Sequence, residues 1–276
     1  MPKLKWPNKD TKIFISVSSN PGNTGAKLHN TCYEILDLNC IYLPLKINNL
    51  NSVKQILLSL NFSGCSVSMP FKEKLINFVD SLDVSAKKIG SINTILKKKN
   101  KLIGYNTDYY ASKHILKKAN KSKKNSIFVV GSGGVAKAVI QSLLDLGYKN
   151  INITSRNKKK FNKIKKNKYI NFINWVDRNN FKSDILINCT PLGMFGKYSN
   201  SVPLKLPLKF KPKLIYDLTV NPASNKLNKY SKIMKIHYVP GLISSFYQGI
   251  KQFEIYNNKK INIKLLKKKL GYNFKL

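Results

Sequence analysis

The chain has 276 residues, 42% of them hydrophobic and 11% aromatic, which is enough apolar material for two packed cores and too much for a disordered polyelectrolyte. Its formal net charge of +38 taken alone points to a nucleic acid or an anionic membrane surface. Yet only Arg156 and Arg178 among the 50 basic residues are arginine, whereas a nucleic-acid reader is expected to use arginine for bidentate contacts, so the lysine, Asn and Ile enrichment is read as A/T-rich codon usage. The expectation is a globular, two-domain protein with lysines on solvated faces and no specific nucleic-acid partner. The alternative is a polyanion-binding protein that has lost turnover.

No apolar h-region follows the polar start Met1 to Asp10, and no apolar run reaches the ~18 residues of a membrane span, so a soluble, cytoplasmic protein is expected. Strands are predicted over Ile13–Val17 and Ile41–Leu45 with a helix near Thr31–Leu38 between them. A helix near Val53–Leu60, a strand near Ser66–Met69, a helix starting near Lys72, and short strands near Asn93–Leu96 and Leu102–Tyr105 follow. This first α/β region ends near Asp108. A polar break at Asn120–Asn125 precedes a second α/β pattern, with strands at Ile127–Val130, Ile151–Thr154, Ile185–Asn188 and Leu214–Asp217 and room for crossovers between them, which predicts a mostly parallel sheet. From Gly241 onward an aromatic-bearing helix leads into a basic tail. Cys32, Cys40, Cys65 and Cys189 form no C-x-x-C pair and His29, His114 and His237 are dispersed, so neither a metal site nor a disulfide framework is suggested and inert thiols are expected.

The strand Ile127–Val130 runs into Gly131-Ser132-Gly133-Gly134-Val135-Ala136 and then an amphipathic helix. This is G-x-G-x-x-A in strand-turn-helix context: the first glycine permits the turn, the second lets a pyrophosphate approach the backbone, and the small last residue lets helix and strand pack closely. Free N–H groups at the helix start complete a phosphate cradle. Where an NAD site places an acid for the ribose hydroxyl, the chain reads Thr154-Ser155-Arg156-Asn157-Lys158-Lys159-Lys160. The missing acid, and one of only two arginines at this spot, favour the 2′-phosphate of NADP, with Ser155 and Arg156 as its contacts.

The first region carries Ser66-Val67-Ser68-Met69-Pro70-Phe71-Lys72-Glu73-Lys74, Ser91-Ile92-Asn93-Thr94 and Gly104-Tyr105-Asn106-Thr107-Asp108, each of which alone reads as loop chemistry. In this order, followed by the glycine loop, by Asn188-Cys189-Thr190-Pro191-Leu192-Gly193-Met194, by Asp217 with Asn221-Pro222, and by Gly241 with Gln248, they resemble the shikimate dehydrogenase family over nearly the whole chain. The wording around Lys72 and Asp108 is most similar to the shikimate dehydrogenase-like subgroup.

The resemblance implies an N-terminal substrate domain over residues 1–108, completed by the C-terminal helix region 241–276, a Rossmann domain over 109–240 that binds NADP, and a cleft between them. It implies Lys72 and Asp108 as the catalytic pair, Ser68, Asn93 and Gln248 as substrate contacts, and Thr190 and Gly241 on the cofactor side, in an enzyme interconverting 3-dehydroshikimate and shikimate as monomer or homodimer. A cationic donor beside the reacting oxygen stabilises the developing alkoxide and supplies its proton, which suits Lys72. One departure stands out. The family's S-x-S-P substrate loop here reads Ser18-Ser19-Asn20-Pro21-Gly22-Asn23-Thr24-Gly25-Ala26-Lys27, with Gly25 at the second serine. Ser19, Thr24 or Lys27 are the candidates to grip the substrate carboxylate, quinate or a related hydroxy acid remains an alternative substrate, and His29 is assigned to loop structure.

Overall fold

The computed structural model describes residues 6–120, 122–157, 167–220, 225–274 and 276. The chain forms two compact units, one built from residues up to Thr107 together with Phe246–Lys275, the other from Asp108–Ser245.

The first unit contains β1 (Lys12–Ser18), α1 (Thr24–Ile35), β2 (Cys40–Lys46), α2 (Leu50–Ser59), β3 (Gly64–Val67), β4 (Ser81–Leu82), α3 (Val84–Ile89), β5 (Thr94–Lys98) and β6 (Lys101–Tyr105). They make one mixed sheet in the order β2-β1-β3-β5-β6-β4. Here β1 runs parallel to β2 and β3, while β5 is antiparallel to β3 and β6. Strand alternation sends Phe14 to one face and Ile15 and Val17 to the other, and each face has its own core. Ile15 and Val17 pack with Val53 and Leu57 of α2 and with Phe71 and Leu75. Phe14 packs with Leu28, Cys32 and Tyr33 of α1 and with Phe246, Phe253 and Tyr256 of the helix Gly241–Asn257, so the C-terminal region completes this unit. Lys99 and Asn100 join β5 to β6, both at positive φ (47° and 61°), as a two-residue hairpin whose twist matches its strands requires.

The second unit takes α4 (Thr107–Ala119) from Asp108 onward, followed by β7 (Ile127–Val130), α5 (Gly134–Asp145), β8 (Ile151–Thr154), β9 (Ile170–Ile173), β10 (Ile185–Asn188), β11 (Leu214–Asp217), a helix over Lys226–Ile233 and β12 (His237–Pro240). All its strand pairs are parallel and their order is β12-β11-β10-β7-β8-β9. Strands β7, β8, β10 and β11 are buried along their whole length, as strands covered on both faces must be.

Three expectations need correction. No α-helix starts near Lys72; residues 69–78 form successive turns. Phe71 and Leu75 are drawn into the core, and the carbonyl of Lys72, which a helix would use internally, accepts from the Ile92 N–H at 2.9 Å. Helix α1 begins at Thr24 rather than near Thr31, since Leu28, His29, Cys32 and Tyr33 share one buried face and outweigh the glycines around Asn23. His29 therefore belongs to a helix, not a loop. Strands β4, β9 and β12 and helices α3 and α4 add elements whose short or polar sequences gave no periodic signal.

Candidate active site

The C-terminal ends of β1 and β3 meet at one carbonyl in the first unit. Met69 C=O accepts from the Ser19 N–H at 3.3 Å, from Ser18 Oγ at 3.3 Å and from Ser19 Oγ at 3.5 Å. This ties the loop after β1 to the turn carrying Ser68, which is exposed, and half-buried Lys72. Thr24 is half-buried in the first turn of α1, whose N-cap residue Asn23 makes no side-chain cap bond. At Gly25 a β-carbon would lie 3.4 Å from Tyr42 Oη, so a hydroxyl stands close to the place where a serine side chain is missing.

Asn93, Thr94 and Thr107 are buried. The Asn93 side-chain carbonyl accepts from the Thr107 N–H (2.8 Å), Thr107 Oγ1 (3.0 Å) and Thr94 Oγ1 (2.9 Å). Its Nδ2 has no hydrogen-bond partner among the described residues, and a buried amide left this way leaves donors for a ligand oxygen. Gln248 Nε2 donates to Thr107 Oγ1 at 3.2 Å. One turn further on, buried Gln252 donates to the Asn93 backbone carbonyl (3.0 Å) and to Thr94 Oγ1 (2.9 Å) and accepts from Ser66 Oγ (3.0 Å). The motif order points to Asn93 and Gln248 and does not include Gln252, whose only signal in the sequence is the spacing of four from Gln248.

Asp108 lies in the first turn of α4, in the second unit. There the glycine turn is built as its sequence requires. Gly131 has φ of 123°, and a β-carbon on it would come within 3.0 Å of the Cys189 carbonyl. At Gly133, by contrast, nothing lies within 4 Å of a β-carbon position, and α5 starts there without a side-chain cap. Open space facing uncapped N–H groups suits an anion. Gly134 and Val135 open the helix half-buried, and Ala136 is fully buried against the sheet. Ser132 and Ser155 hydroxyls sit 2.6 Å apart, linking the glycine turn to the end of β8, where Arg156 is exposed. Lys158, Lys159 and Lys160 lie outside the described residues, as do Asn221 and Pro222.

Thr190 belongs to a third loop of this unit. Its N–H and Oγ1 donate to the Asn188 side-chain carbonyl (3.0 and 2.7 Å), while Asn188 Nδ2 donates to Asp217 (3.0 Å). Asp217 is fully buried and also accepts from Thr219 N–H and Oγ1, Asn225 Nδ2 and Tyr238 Oη, so its charge is met by neutral donors. Gly241 packs against this hub so closely that a β-carbon would fall 2.3 Å from the Thr219 carbonyl. Burial, helped by the carboxylates of Asp217 and Asp108, pushes the Cys189 thiol well up, which leaves it a protonated and unreactive group.

A parallel sheet in the order 3-2-1-4-5-6, whose first strand runs into a G-x-G-x-x-A turn, defines a dinucleotide-binding Rossmann protein, here with a second α/β unit in the same chain. Comparison with known proteins narrows that class. Residues 23–95 match the shikimate dehydrogenase substrate binding domain and residues 113–222 match shikimate / quinate 5-dehydrogenase. A shikimate dehydrogenase-like protein of Haemophilus influenzae is 32% identical over 267 residues, covering 94% of this chain and 95% of the relative. A shikimate dehydrogenase (NADP(+)) of Clostridium perfringens is 34% identical over 256 residues, covering 91% and 94%. A crystal structure of shikimate dehydrogenase in complex with NADP+ superposes with a TM-score of 0.83 at 26% identity, covering 98% of both chains. The chain belongs to the shikimate dehydrogenase family.

Proposed function

We propose that the protein is an NADP-dependent oxidoreductase that interconverts 3-dehydroshikimate and shikimate. The observation that carries this reading is Asn93, a buried amide whose carbonyl is saturated by three protein donors and whose Nδ2 is left for a substrate oxygen. Similarity to the Clostridium perfringens enzyme over most of both chains supports the reaction and the cofactor.

Gly133 and the start of α5 would hold the pyrophosphate, with Ser132, Gly134 and Val135 around it, and Arg156 with Ser155 would hold the 2′-phosphate. Thr190, on the loop after β10, and Gly241, the first residue of the helix that follows β12, belong to the same unit and are assigned to the rest of the dinucleotide. When bound, the nicotinamide supplies a hydride to the ketone carbon or takes it from the alcohol carbon. Lys72 gives the ketone oxygen its proton in reduction and takes it back in oxidation, and its charge favours the alkoxide between the two. Asp108, assigned to the chemistry with Lys72, accepts from a substrate hydroxyl. Ser68, Asn93 and Gln248 bind further substrate hydroxyls, and Ser19 and Thr24 grip the carboxylate, assisted by the Tyr42 hydroxyl beside Gly25.

The test is nicotinamide reduction by purified protein with shikimate, quinate or neither, using NADP and NAD separately, beside Lys72→Ala. Shikimate-dependent, NADP-preferring turnover that drops by at least about a thousandfold in the variant is the expected result, since the proton donor and the alkoxide's counter-charge are lost together. Turnover of quinate alone would leave the family and remove the substrate assignment; equal rates in both proteins would remove Lys72 from the chemistry.

A further inference from the structure

We infer that Gln252, acting through Thr94, is a positioning residue that reinforces the orientation in which the Asn93 amide faces the substrate. The inference rests on Asn93 being a substrate contact. Hydrogen-bond direction carries it, and two backbone groups fix that direction. Thr107 N–H can only donate, so the atom of Asn93 that it meets at 2.8 Å is the oxygen. The Asn93 backbone carbonyl can only accept, so the atom of Gln252 that meets it at 3.0 Å is Nε2.

The same Nε2 lies 2.9 Å from Thr94 Oγ1 and must donate to it. Thr94 has one hydroxyl hydrogen, and it cannot be spent on a group that is itself donating. Its acceptors are Asn93 Oδ1 at 2.9 Å and Thr107 Oγ1 at 3.2 Å, and the shorter bond is the one to Asn93. Gln248 does the same from one turn earlier on the helix: its Nε2 donates to Thr107 Oγ1, whose hydrogen goes to the same Asn93 oxygen at 3.0 Å. Two glutamines spaced i, i+4 thus face two threonines and polarise both hydroxyls toward one carbonyl. Gln252 is itself held in place, since Ser66 Oγ occupies its oxygen at 3.0 Å and Tyr256 Oη lies 3.2 Å from that serine.

Rotating the Asn93 amide by half a turn would place Nδ2 against the Thr107 N–H, which can only donate, and against two hydroxyls that the glutamines turn toward it. The network therefore admits one orientation, in which Asn93 offers hydrogens and selects a substrate oxygen that accepts. Gln252, Thr94, Thr107 and Asn93 are all at most 3% exposed, so water does not compete for these bonds.

The test is a double-mutant cycle of Gln252→Met and Asn93→Ala on kcat/KM for shikimate, with Thr94→Val and Thr94→Ser beside it. Gln252→Met is expected to lower kcat/KM about tenfold and Asn93→Ala about a hundredfold, and the double variant should match Asn93→Ala alone, because Gln252 acts only through that amide. Thr94→Val should resemble Gln252→Met, Thr94→Ser should return to within about twofold of wild type because its hydroxyl restores the bond, and the KM for NADP should stay put in all of them. Additive losses in the cycle, or equal losses in Thr94→Val and Thr94→Ser, would overturn the inference. Wild-type turnover reports separately on the proposed reaction. A readout free of substrate comes from the Asn93 side-chain amide in 15N-labelled protein, identified by its loss in Asn93→Ala. Gln252→Met should broaden or double that signal as a second orientation becomes populated, and an unchanged signal would also overturn the inference.

Discussion

His29 should make the first unit sensitive to mild acid. The ring is completely buried, lies parallel to Tyr42 with 4.4 Å between centroids, and has no hydrogen-bond partner for either nitrogen among the described residues. Burial, offset only in part by the nearby Gln252 amide, lowers its pKa from 6.5 to about 4. The native state therefore binds the proton more weakly than the unfolded chain does. Above pH 6.5 the group costs nothing on this account; stability falls as the pH drops from there toward 4, and the loss levels off below. The gap between the two pKa values corresponds to about 3 kcal/mol, a substantial part of a typical domain's stability. The aromatic neighbours Tyr33, Tyr42 and Tyr256 all have pKa values raised by burial, so none titrates in this window.

The perturbation is His29→Leu, which keeps the volume roughly constant and removes both the titration and the two unpaired nitrogens. Urea unfolding of the two proteins at a series of pH values between neutrality and about 4 measures the difference directly, and groups common to both cancel. The variant should gain on wild type by about 3 kcal/mol over that range, with the change concentrated below pH 6.5. Two parallel stability curves would refute the reasoning, because they would mean that the imidazole takes up its proton as easily folded as unfolded.

The glycine turn gives a contrast between neighbours. Gly133→Ala should leave the melting temperature within about 2 °C while weakening NADP binding at least tenfold, because the new methyl group enters space that no protein atom fills; titration calorimetry and thermal melting read the two effects. Gly131→Ala should lower stability by about 2 kcal/mol in urea unfolding, since it forces a positive φ and meets the Cys189 carbonyl. Arg156→Ala should reduce the NADP-over-NAD ratio of kcat/KM about tenfold, and an unchanged ratio would remove the 2′-phosphate assignment. Asp184 pairs with Lys213 at 2.9 Å and accepts from Ser126 N–H and Oγ at 2.9 Å, which lowers its pKa to about 2. Its contribution is present above the ordinary carboxylate pKa and is lost as the pH falls toward 2; Lys213 is largely exposed, so Asp184→Asn should cost only about 1 kcal/mol in urea unfolding at neutral pH.

Legibility followed the range of the interactions. The glycine turn was readable because strand, turn and helix are contiguous and the first glycine's positive φ excludes other residues. The parallel second sheet followed from strands spaced for crossovers. By contrast, the segment after Pro70 has a helix-like sequence but is held in turns by Ile92, twenty positions away from Lys72 in the chain and invisible to local periodicity. The start of α1 was hidden because Gly22, Asn23 and Gly25 signal a loop, whereas burial of Leu28 and His29 against the sheet decides the matter. Gln252 shows the same limit in the site itself: Asn93 and Thr94 lie 159 and 158 positions from it, and no motif spans that gap.

The net charge of +38 gains a meaning once the ligands are anions. Among the described residues, the hydrogen-bonded polar interior of each unit is nearly neutral: Asn93, Thr94, Thr107 and Gln252 in one, and Asn188, Thr190 and Asn225 around the single carboxylate of Asp217 in the other. These groups set orientation through short-range bonds that salt scarcely screens. If the proposed function holds, the lysines outside attract a dinucleotide phosphate and a ring carboxylate over distances on the order of the Debye length, about 10 Å in 0.1 M salt. A surplus of lysine on solvated faces therefore acts on encounter rather than on geometry. Added salt should lower kcat/KM for both ligands while leaving kcat little changed, and a salt effect on kcat of the same size would place the charges in the chemistry itself.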